Sequence, residues 1–306
     1  MATLYAFFKG NFVPLAEAKI GVLTHAFNYG TGVFEGIRAY RNQDEQQLYV
    51  FKLREHYARL HDSCHILRIG LRYSVDELCN ITSEALRRSE VRSDMYIRPI
   101  AYKSGEVLGV RLHNVEDDLT VAITPMGKYV DADAARCKIA TWRRMDDSVA
   151  PVRAKITGIY VNSALAKSEV VEDGYDEAIL LNGDGHVSEG SGENLFIIRD
   201  GVLITPAVSE NILEGITRDF VMQLAKDEVK MPVVERAIDR SELYIADECF
   251  MTGTAAEITP IGEIDRRKVG SGTVGPLTAR LRVLFDAAVR GRNKKYISCC
   301  TPVWPK

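Results

Sequence analysis

The stretch from Lys155 to Leu195 constrains this chain more than any other, because it fixes a lysine, a helix, a hairpin and two carboxylates in one run. It opens Lys155-Ile156-Thr157-Gly158-Ile159-Tyr160-Val161-Asn162 and closes Ser188-Glu189-Gly190-Ser191-Gly192-Glu193-Asn194-Leu195. Thr157-Gly158 starts a helix carrying Leu165, Ala166, Glu169 and Val170, which stops at Gly174. Strands expected at Glu177 to Asn182 and His186 to Glu189 flank the turn Gly183-Asp184-Gly185, so Glu189 ends a strand where the sheet opens. Lysines usually sit on charged, solvated faces. Lys155 instead precedes an uncharged helix start.

The hairpins and crossing helices along the chain predict an α/β protein of the α+β type with mixed sheets. The 306 residues suit two domains. We place a small domain at 1–124, a linker at 125–135, where Pro125-Met126-Gly127-Lys128-Tyr129 breaks the pattern, and a large domain at 136–306. With 46% apolar and 26% charged residues the balance is that of a soluble globular protein, and a net charge of -3 gives no reason to expect nucleic acid or an anionic membrane. No apolar run approaches the roughly 20 residues of a membrane span, and the first residues lack a signal-peptide layout, so a cytoplasmic location is expected. The cysteines (Cys64, Cys79, Cys137, Cys249, Cys299, Cys300) show no C-x-x-C pair and read as reduced thiols, although the adjacent Cys299 and Cys300 could form a strained disulfide on oxidation. His61 and His65 lie one helical turn apart without a third ligand, so no metal is expected.

In the N-terminal part, Leu4 to Phe8 and Phe12 to Pro14 flank Lys9-Gly10-Asn11 as an opening hairpin. Thr24 to Tyr40 carries three glycines, Tyr29, Phe34 and Arg38, and is too irregular for a helix. Leu53 to Leu67 is a helix with Tyr57, Leu60, Cys64 and Leu67 inward and Arg59 between core positions. Ser74-Val75-Asp76-Glu77 is a capping box. In the strand Met95 to Tyr102, alternation puts Tyr96 and Arg98 on one face, where the arginine needs either a buried carboxylate or a substrate acid. The loop Gly105 to Val110 precedes the strand Leu119 to Thr124.

Beyond the linker, a strand at Cys137 to Trp142 leads to Lys155. Phe196 to Arg199 and Val202 to Thr205 form another hairpin. Leu213-Glu214-Gly215-Ile216-Thr217-Arg218 opens a helix whose free N–H groups suit an anion, with Gly215 letting it approach. Thr252-Gly253-Thr254-Ala255-Ala256-Glu257 is a second small-residue turn after the strand Glu248 to Met251. Pro276 to Val289 is an amphipathic helix with Leu281, Leu284, Phe285 and Ala288 inward, and the tail from Arg290 reads as peripheral.

A lysine amine, a phenol and a carboxylate in this order suit pyridoxal phosphate, which needs an amine to hold its aldehyde, an acid at its ring nitrogen and a donor near its ring oxygen. At Lys155, Tyr160 and Glu189 the chain resembles the fold-type IV, class IV aminotransferases, and within them the branched-chain amino acid aminotransferases. The resemblance runs over nearly the whole chain. It implies a D-amino acid aminotransferase-like fold and transfer of an amino group between leucine, isoleucine or valine and 2-oxoglutarate by a ping-pong mechanism. Lys155 would be catalytic. Arg59, Lys155, Tyr160, Glu189, Leu213, Gly215, Ile216, Thr217, Gly253 and Thr254 would hold the cofactor, with Arg59, Ile216, Thr217 and Thr254 on its phosphate. Tyr29, Phe34, Arg38, Tyr96, Arg98, Val110, Met126, Tyr129, Thr254 and Ala255 would meet the substrate, Arg98 taking the distal carboxylate of glutamate. The expected partners are amino acids and 2-oxo acids and a second copy of the chain, since the family forms homodimers and higher homo-oligomers. The (R)-amine and D-amino acid transaminases and aminodeoxychorismate lyase share this fold. Tyr96-x-Arg98 and Phe34-x-Gly36-x-Arg38 argue for the branched-chain type, and a cofactor-binding protein without turnover is the alternative of another class.

Overall fold

The computed structural model describes residues 3–127 and 133–305, and Tyr129 lies outside them. The chain forms two compact units. Met1–Gly127, Ala154–Ile159 and Ala287–Lys306 make the first, and Lys128–Arg153 with Tyr160–Asp286 the second. Among the described residues, no helix is long and apolar enough to cross a membrane.

The first unit is built on β1 (Tyr5–Phe8), β2 (Asn11–Pro14), β3 (Gly32–Phe34), β4 (Ile37–Asn42), β5 (Gln47–Phe51), β6 (Met95–Lys103) and β7 (Asp117–Pro125). They pair antiparallel in the order β5-β4-β6-β7-β1-β2, with β3 on the far stretch of β6. The β1–β2 turn places Lys9 and Gly10 at positive φ, as a two-residue hairpin of this hand requires. Two helices cover the sheet. α2 (Leu53–Ile66) buries Leu53, Tyr57, Leu60 and Cys64, and α3 (Val75–Arg88) buries Leu78, Ala85 and Leu86, the leucines contributing about 1.5–3 kcal/mol each. The Tyr57 and Thr82 hydroxyls hydrogen-bond between the two helices. The capping box forms as expected: the Glu77 N–H donates to Ser74 Oγ at 3.3 Å while the Ser74 N–H donates to Glu77 Oε2 at 2.8 Å.

Two local expectations fail in this unit. Thr24 to Tyr40 contains a short helix, α1 (His25–Tyr29), because Gly30 takes a left-handed φ of 66° and its N–H caps the Ala26 carbonyl at 2.9 Å. The tail from Arg290 is not peripheral. Arg290 grips the Asp94 carboxylate through both Nη atoms at 3.0 and 2.9 Å, and Cys300–Pro302 pairs with the outer edge of β5, which would otherwise expose an unpaired ladder. Cys300 is buried with Sγ 3.2 Å from the Ala288 carbonyl, and all six cysteines, Cys299 included, are free thiols.

The second unit comprises β8 (Ala135–Arg143), β9 (Glu177–Leu181), β10 (Val187–Gly190), β11 (Asn194–Arg199), β12 (Val202–Thr205), β13 (Val233–Glu235), β14 (Glu248–Gly253), β15 (Glu257–Ile264) and β16 (Arg267–Lys268). Their order is β10-β9-β8-β15-β14-β11-β12-β13, with β16 on β15. The sheet is mixed: β8 runs parallel to β9 and β15, and β12 to β13, while the other neighbours are antiparallel. One core gathers Ile139, Ile179, Ile197, Leu243, Met251 and Ile261. In another, α4 (Tyr160–Glu172) lays Ala166 and Val170 against Ala140, Ala178 and Leu180. Phe196 and Phe250 stack at 5.0 Å, and Phe220 of α5 (Ile216–Leu224) meets Phe285 of α6 (Pro276–Val289) at 6.1 Å.

The central strand β15 has no counterpart in the sequence reading. Pro260 and Gly262 interrupt its apolar run, and both residue types argue against an interior strand. The structure accommodates Pro260 because the pairing of β15 with β8 begins only at Ile261 and shifts register before Glu263.

Candidate active site

Lys155 belongs to the first unit, where its backbone is held from two sides. Its N–H donates to Ser63 Oγ on α2 at 3.2 Å, and its carbonyl accepts from the Phe34 N–H on β3 at 2.9 Å. Thr157 Oγ1 lies within hydrogen-bond distance of the Gly30 and Gly32 carbonyls, at 2.9 and 3.1 Å. The Gly158 N–H also donates to the Gly30 carbonyl at 3.1 Å, and a Cβ on Gly30 would lie 2.6 Å from the Gly158 Cα. Gly30 therefore requires glycine, Gly158 is tightly packed against it, and the lysine loop is locked onto the glycine-rich segment.

Phe34 collects three further groups. The Lys155 Nζ lies 5.1 Å from its ring centroid and the Arg98 guanidinium 4.4 Å. Arg98 also sits 5.0 Å from the Tyr96 ring and donates Nη2 to Tyr96 Oη at 2.7 Å, so alternation along β6 does put the two side chains on one face. The alternatives for Arg98 separate here: among the described residues no carboxylate pairs with it, and its Nε is buried without a hydrogen-bond partner.

Arg59, two turns along α2, is bidentate to Glu35, with Nε 2.7 Å from Oε1 and Nη2 2.9 Å from Oε2. His56 Nδ1 lies 2.7 Å from the same Oε2. Glu35 and His56 are buried and Arg59 reaches the rim. Burial would raise the Glu35 carboxyl, but the charges and hydrogen bonds of Arg59 and His56 outweigh it and hold the group well below the usual carboxylate range. Burial pushes His56 down despite the adjacent carboxylate, so the imidazole is neutral.

The other substrate candidates of this unit divide. Arg38 is buried, 5.1 Å from the Tyr40 ring, with Nη2 3.4 Å from the Met126 carbonyl. Tyr29 Oη accepts from the Gly109 N–H at 2.9 Å, beside His25, whose Nε2 is 2.8 Å from the Gly109 carbonyl. Tyr29 thus meets the loop that carries Leu108 and Val110, and Phe27, Leu108 and Val110 are 68%, 74% and 79% exposed.

In the second unit Glu189 lies at the end of β10, buried, with both oxygens engaged. Arg144, the residue after β8, pairs with Oε1 at 2.8 Å, and the Asn194 Nδ2 and Leu213 N–H each donate to Oε2 at 3.0 Å. Asn194 Nδ2 also donates to the Leu213 carbonyl at 2.9 Å. Its Oδ1 occupies the space where a Cβ on Gly215 would stand, so Asn194 favours glycine there. Glu193 supports the glycine-rich turn: the Gly192 N–H donates to its Oε2 at 3.0 Å. Burial, reinforced by the Glu177 carboxylate, pushes Glu193 up to about 8.

α5 begins after Gly215 with no side-chain cap, leaving the first-turn N–H groups of Ile216 and Thr217 for an external acceptor. Thr254 and Ala255 lie in the turn after Gly253, and Tyr160 is the first residue of α4. Each unit holds donors of the kinds pyridoxal phosphate needs: an amine and a guanidinium in the first, and in the second a phenol, a buried carboxylate whose orientation three donors fix and an uncapped helix start. Sequence reasoning missed Glu35, His56, Ser63, Arg144 and Asn194. Of these only Glu35 carries a local signal, an acid inside an otherwise apolar and glycine-rich run.

A family model described as amino-transferase class IV matches residues 32–264. A probable branched-chain-amino-acid aminotransferase of Aquifex aeolicus (strain VF5) is 52% identical over 303 residues, covering 99% of this chain and 97% of that protein. The crystal structure of a branched-chain aminotransferase from Thermoproteus uzoniensis with norvaline has a TM-score of 0.95 at 44% identity, covering 99% of this chain and 100% of that one. A T.th. branched-chain amino acid aminotransferase complexed with N-(5'-phosphopyridoxyl)-L-glutamate has a TM-score of 0.94 at 44% identity, covering 99% of each chain. On the match of the family model, the relatives and the donor set together, the chain belongs to the class IV aminotransferases.

Proposed function

We propose that this chain is a pyridoxal phosphate-dependent branched-chain amino acid aminotransferase, moving the amino group of leucine, isoleucine or valine to 2-oxoglutarate by a ping-pong mechanism. The observation that carries the reading is the pair of cations against one ring: Lys155 Nζ and the Arg98 guanidinium both lie beside Phe34, and no carboxylate of the described residues pairs with Arg98. An amine for the α-carbon and a guanidinium for a second carboxylate are what glutamate needs, while the aromatic ring suits an aliphatic side chain. The T.th. complex with phosphopyridoxyl-glutamate supports the same substrate and cofactor here.

When bound, the cofactor supplies an aldehyde for the amino group and an electron sink for the α-carbanion. Lys155 Nζ would hold the cofactor through its aldehyde, and the same amine, once the substrate amino group has displaced it, would serve as general base for the substrate α-proton. The Glu189 carboxylate, oriented by Arg144, Asn194 and the Leu213 N–H, would accept a proton donor of the cofactor ring, and Tyr160 would donate to the ring oxygen. Arg59, Thr254 and the N–H groups of Ile216 and Thr217 would hold the phosphate, with Leu213, Gly215 and Gly253 shaping the surrounding turns. Thr254 and Ala255 receive the α-carboxylate. Phe34 and Met126 wall the side-chain pocket, with Arg38 and Tyr96 behind it.

The exposed surface of Phe27, Leu108, Val110 and Tyr29 supports a homodimer in which Tyr29 and Val110 of one copy close the pocket of the other. Sedimentation of the purified protein tests this, a monomer counting against it. The free thiols at Cys299 and Cys300 fit a reducing compartment such as the cytoplasm. The activity is tested with Lys155→Ala: the variant should lose transamination of L-isoleucine with 2-oxoglutarate, and turnover at the unmodified rate would overturn the reading.

A further inference from the structure

We propose that Glu35, held by His56, is a positioning residue that aims the Arg59 guanidinium at the cofactor phosphate; the proposal rests on the reading of Arg59 as a phosphate ligand made above. The geometry is specific. Glu35 takes the Nε–Nη2 edge of Arg59 in a side-on, two-point contact at 2.7 and 2.9 Å, which fixes the guanidinium plane and turns the remaining Nη edge away from the carboxylate. A guanidinium carries five N–H donors, and the contact to Glu35 engages two of its nitrogens. Glu35 itself cannot move freely. It is buried on the turn between β3 and β4, and its N–H donates to the Pro99 carbonyl at 3.0 Å.

His56 completes the clamp. An ionised Glu35 can only accept, so the 2.7 Å contact to Oε2 requires that Nδ1 of His56 carries the proton. A neutral imidazole donating there orients the carboxylate without adding a second positive charge beside Arg59. His56 and Arg59 lie one turn apart on α2, and Ser63, farther along the same helix, holds the Lys155 N–H at 3.2 Å. Phe34, next to Glu35, holds the Lys155 carbonyl at 2.9 Å. The same helix and strand thus set the lysine and the arginine together, so the distance from the amine to the phosphate anchor is built into one rigid pair of elements.

Two effects of removing Glu35 oppose each other. Loss of its charge leaves Arg59 a stronger attractor for phosphate, while loss of the two-point contact frees the guanidinium plane. The proposal holds that orientation dominates, because a glutamine offers a single acceptor oxygen and its amide must meet a donor of either Arg59 or His56. The test uses the full chain stripped of cofactor and titrated separately with pyridoxal phosphate and with pyridoxal, which lacks the phosphate, read by visible absorbance. Glu35→Gln should raise the dissociation constant of pyridoxal phosphate on the order of tenfold, the scale at which outer partners tune a ligand, and leave that of pyridoxal unchanged. Glu35→Asp, which keeps the charge but shortens the reach, should show the same selective loss. Arg59→Ala should lose at least as much, and Glu35→Gln combined with Arg59→Ala should bind pyridoxal phosphate no worse than Arg59→Ala alone. Equal weakening toward both probes, or additive losses in the double variant, would mean a merely structural role and overturn the proposal. Full affinity in Glu35→Gln with loss in Arg59→Ala also overturns it while sparing the reading of Arg59. Full affinity in Arg59→Ala removes that reading and the proposal with it.

Discussion

Glu35 in the first unit and Glu193 in the second are both buried carboxylates next to glycine, yet they end in opposite protonation states. Burial drives both toward the neutral acid. Around Glu35 it is overcome by a guanidinium and an imidazole, so the group stays ionised; around Glu193 the next largest influence is another carboxylate, Glu177, so the proton stays on to about 8. Burial alone therefore says nothing about charge. The partner decides, and Glu189, paired with Arg144 only a few residues from Glu193, makes the contrast within a single turn.

The comparison breaks most severely if a buried anion loses its cation. Arg59→Ala should destabilise the first unit by about 3–5 kcal/mol by stranding Glu35, with Glu35→Gln restoring much of the loss; the midpoint of chemical denaturation measures both. Arg144→Ala should cost less, about 2–3 kcal/mol, because the Asn194 and Leu213 donors continue to satisfy Glu189 Oε2.

The pH dependence sharpens the same contrast, since the two groups act with opposite sign. The folded value of Glu193, about 8, lies above its ordinary 4.5, so the folded state holds the proton longer. Its contribution is fully present below 4.5, is lost as pH rises to about 8 and is level beyond. Glu193→Gln should therefore raise the thermal midpoint at pH 9 and change it little at pH 5. Glu35 is depressed, so its contribution is present above its ordinary 4.5 and drains as pH falls toward its folded value. Loss of the Ser74 cap is the smallest effect: Ser74→Ala should cost about 1 kcal/mol, with Tm moved by a few degrees at most.

How much was legible in the sequence follows the range of the interactions. The capping box, the Lys9-Gly10 hairpin and the shared face of Tyr96 and Arg98 are set by residues close in the chain, and local rules find them. Lys155, Tyr160 and Glu189 were singled out by their order together with the family resemblance. Their supports do not: Ser63 and Arg144 reach Lys155 and Glu189 from distant parts of the chain, and nothing local marks either as special. The C-terminal strand eluded the reading for the same reason, since its reason to exist is the open edge of β5. β15 was hidden by Pro260, whose tolerance depends on where its neighbour's pairing begins. At Gly215 the glycine was legible and the Asn194 amide packed against it was not.

The most direct test of the central claim is a half-reaction on purified, cofactor-loaded protein, with its visible spectrum recorded after addition of L-isoleucine or (R)-1-phenylethylamine and no keto acid present. The branched-chain account predicts that isoleucine rapidly bleaches the visible band of the lysine-bound cofactor while the amine leaves it nearly intact. Equal bleaching by the amine, or no response to isoleucine, would contradict it.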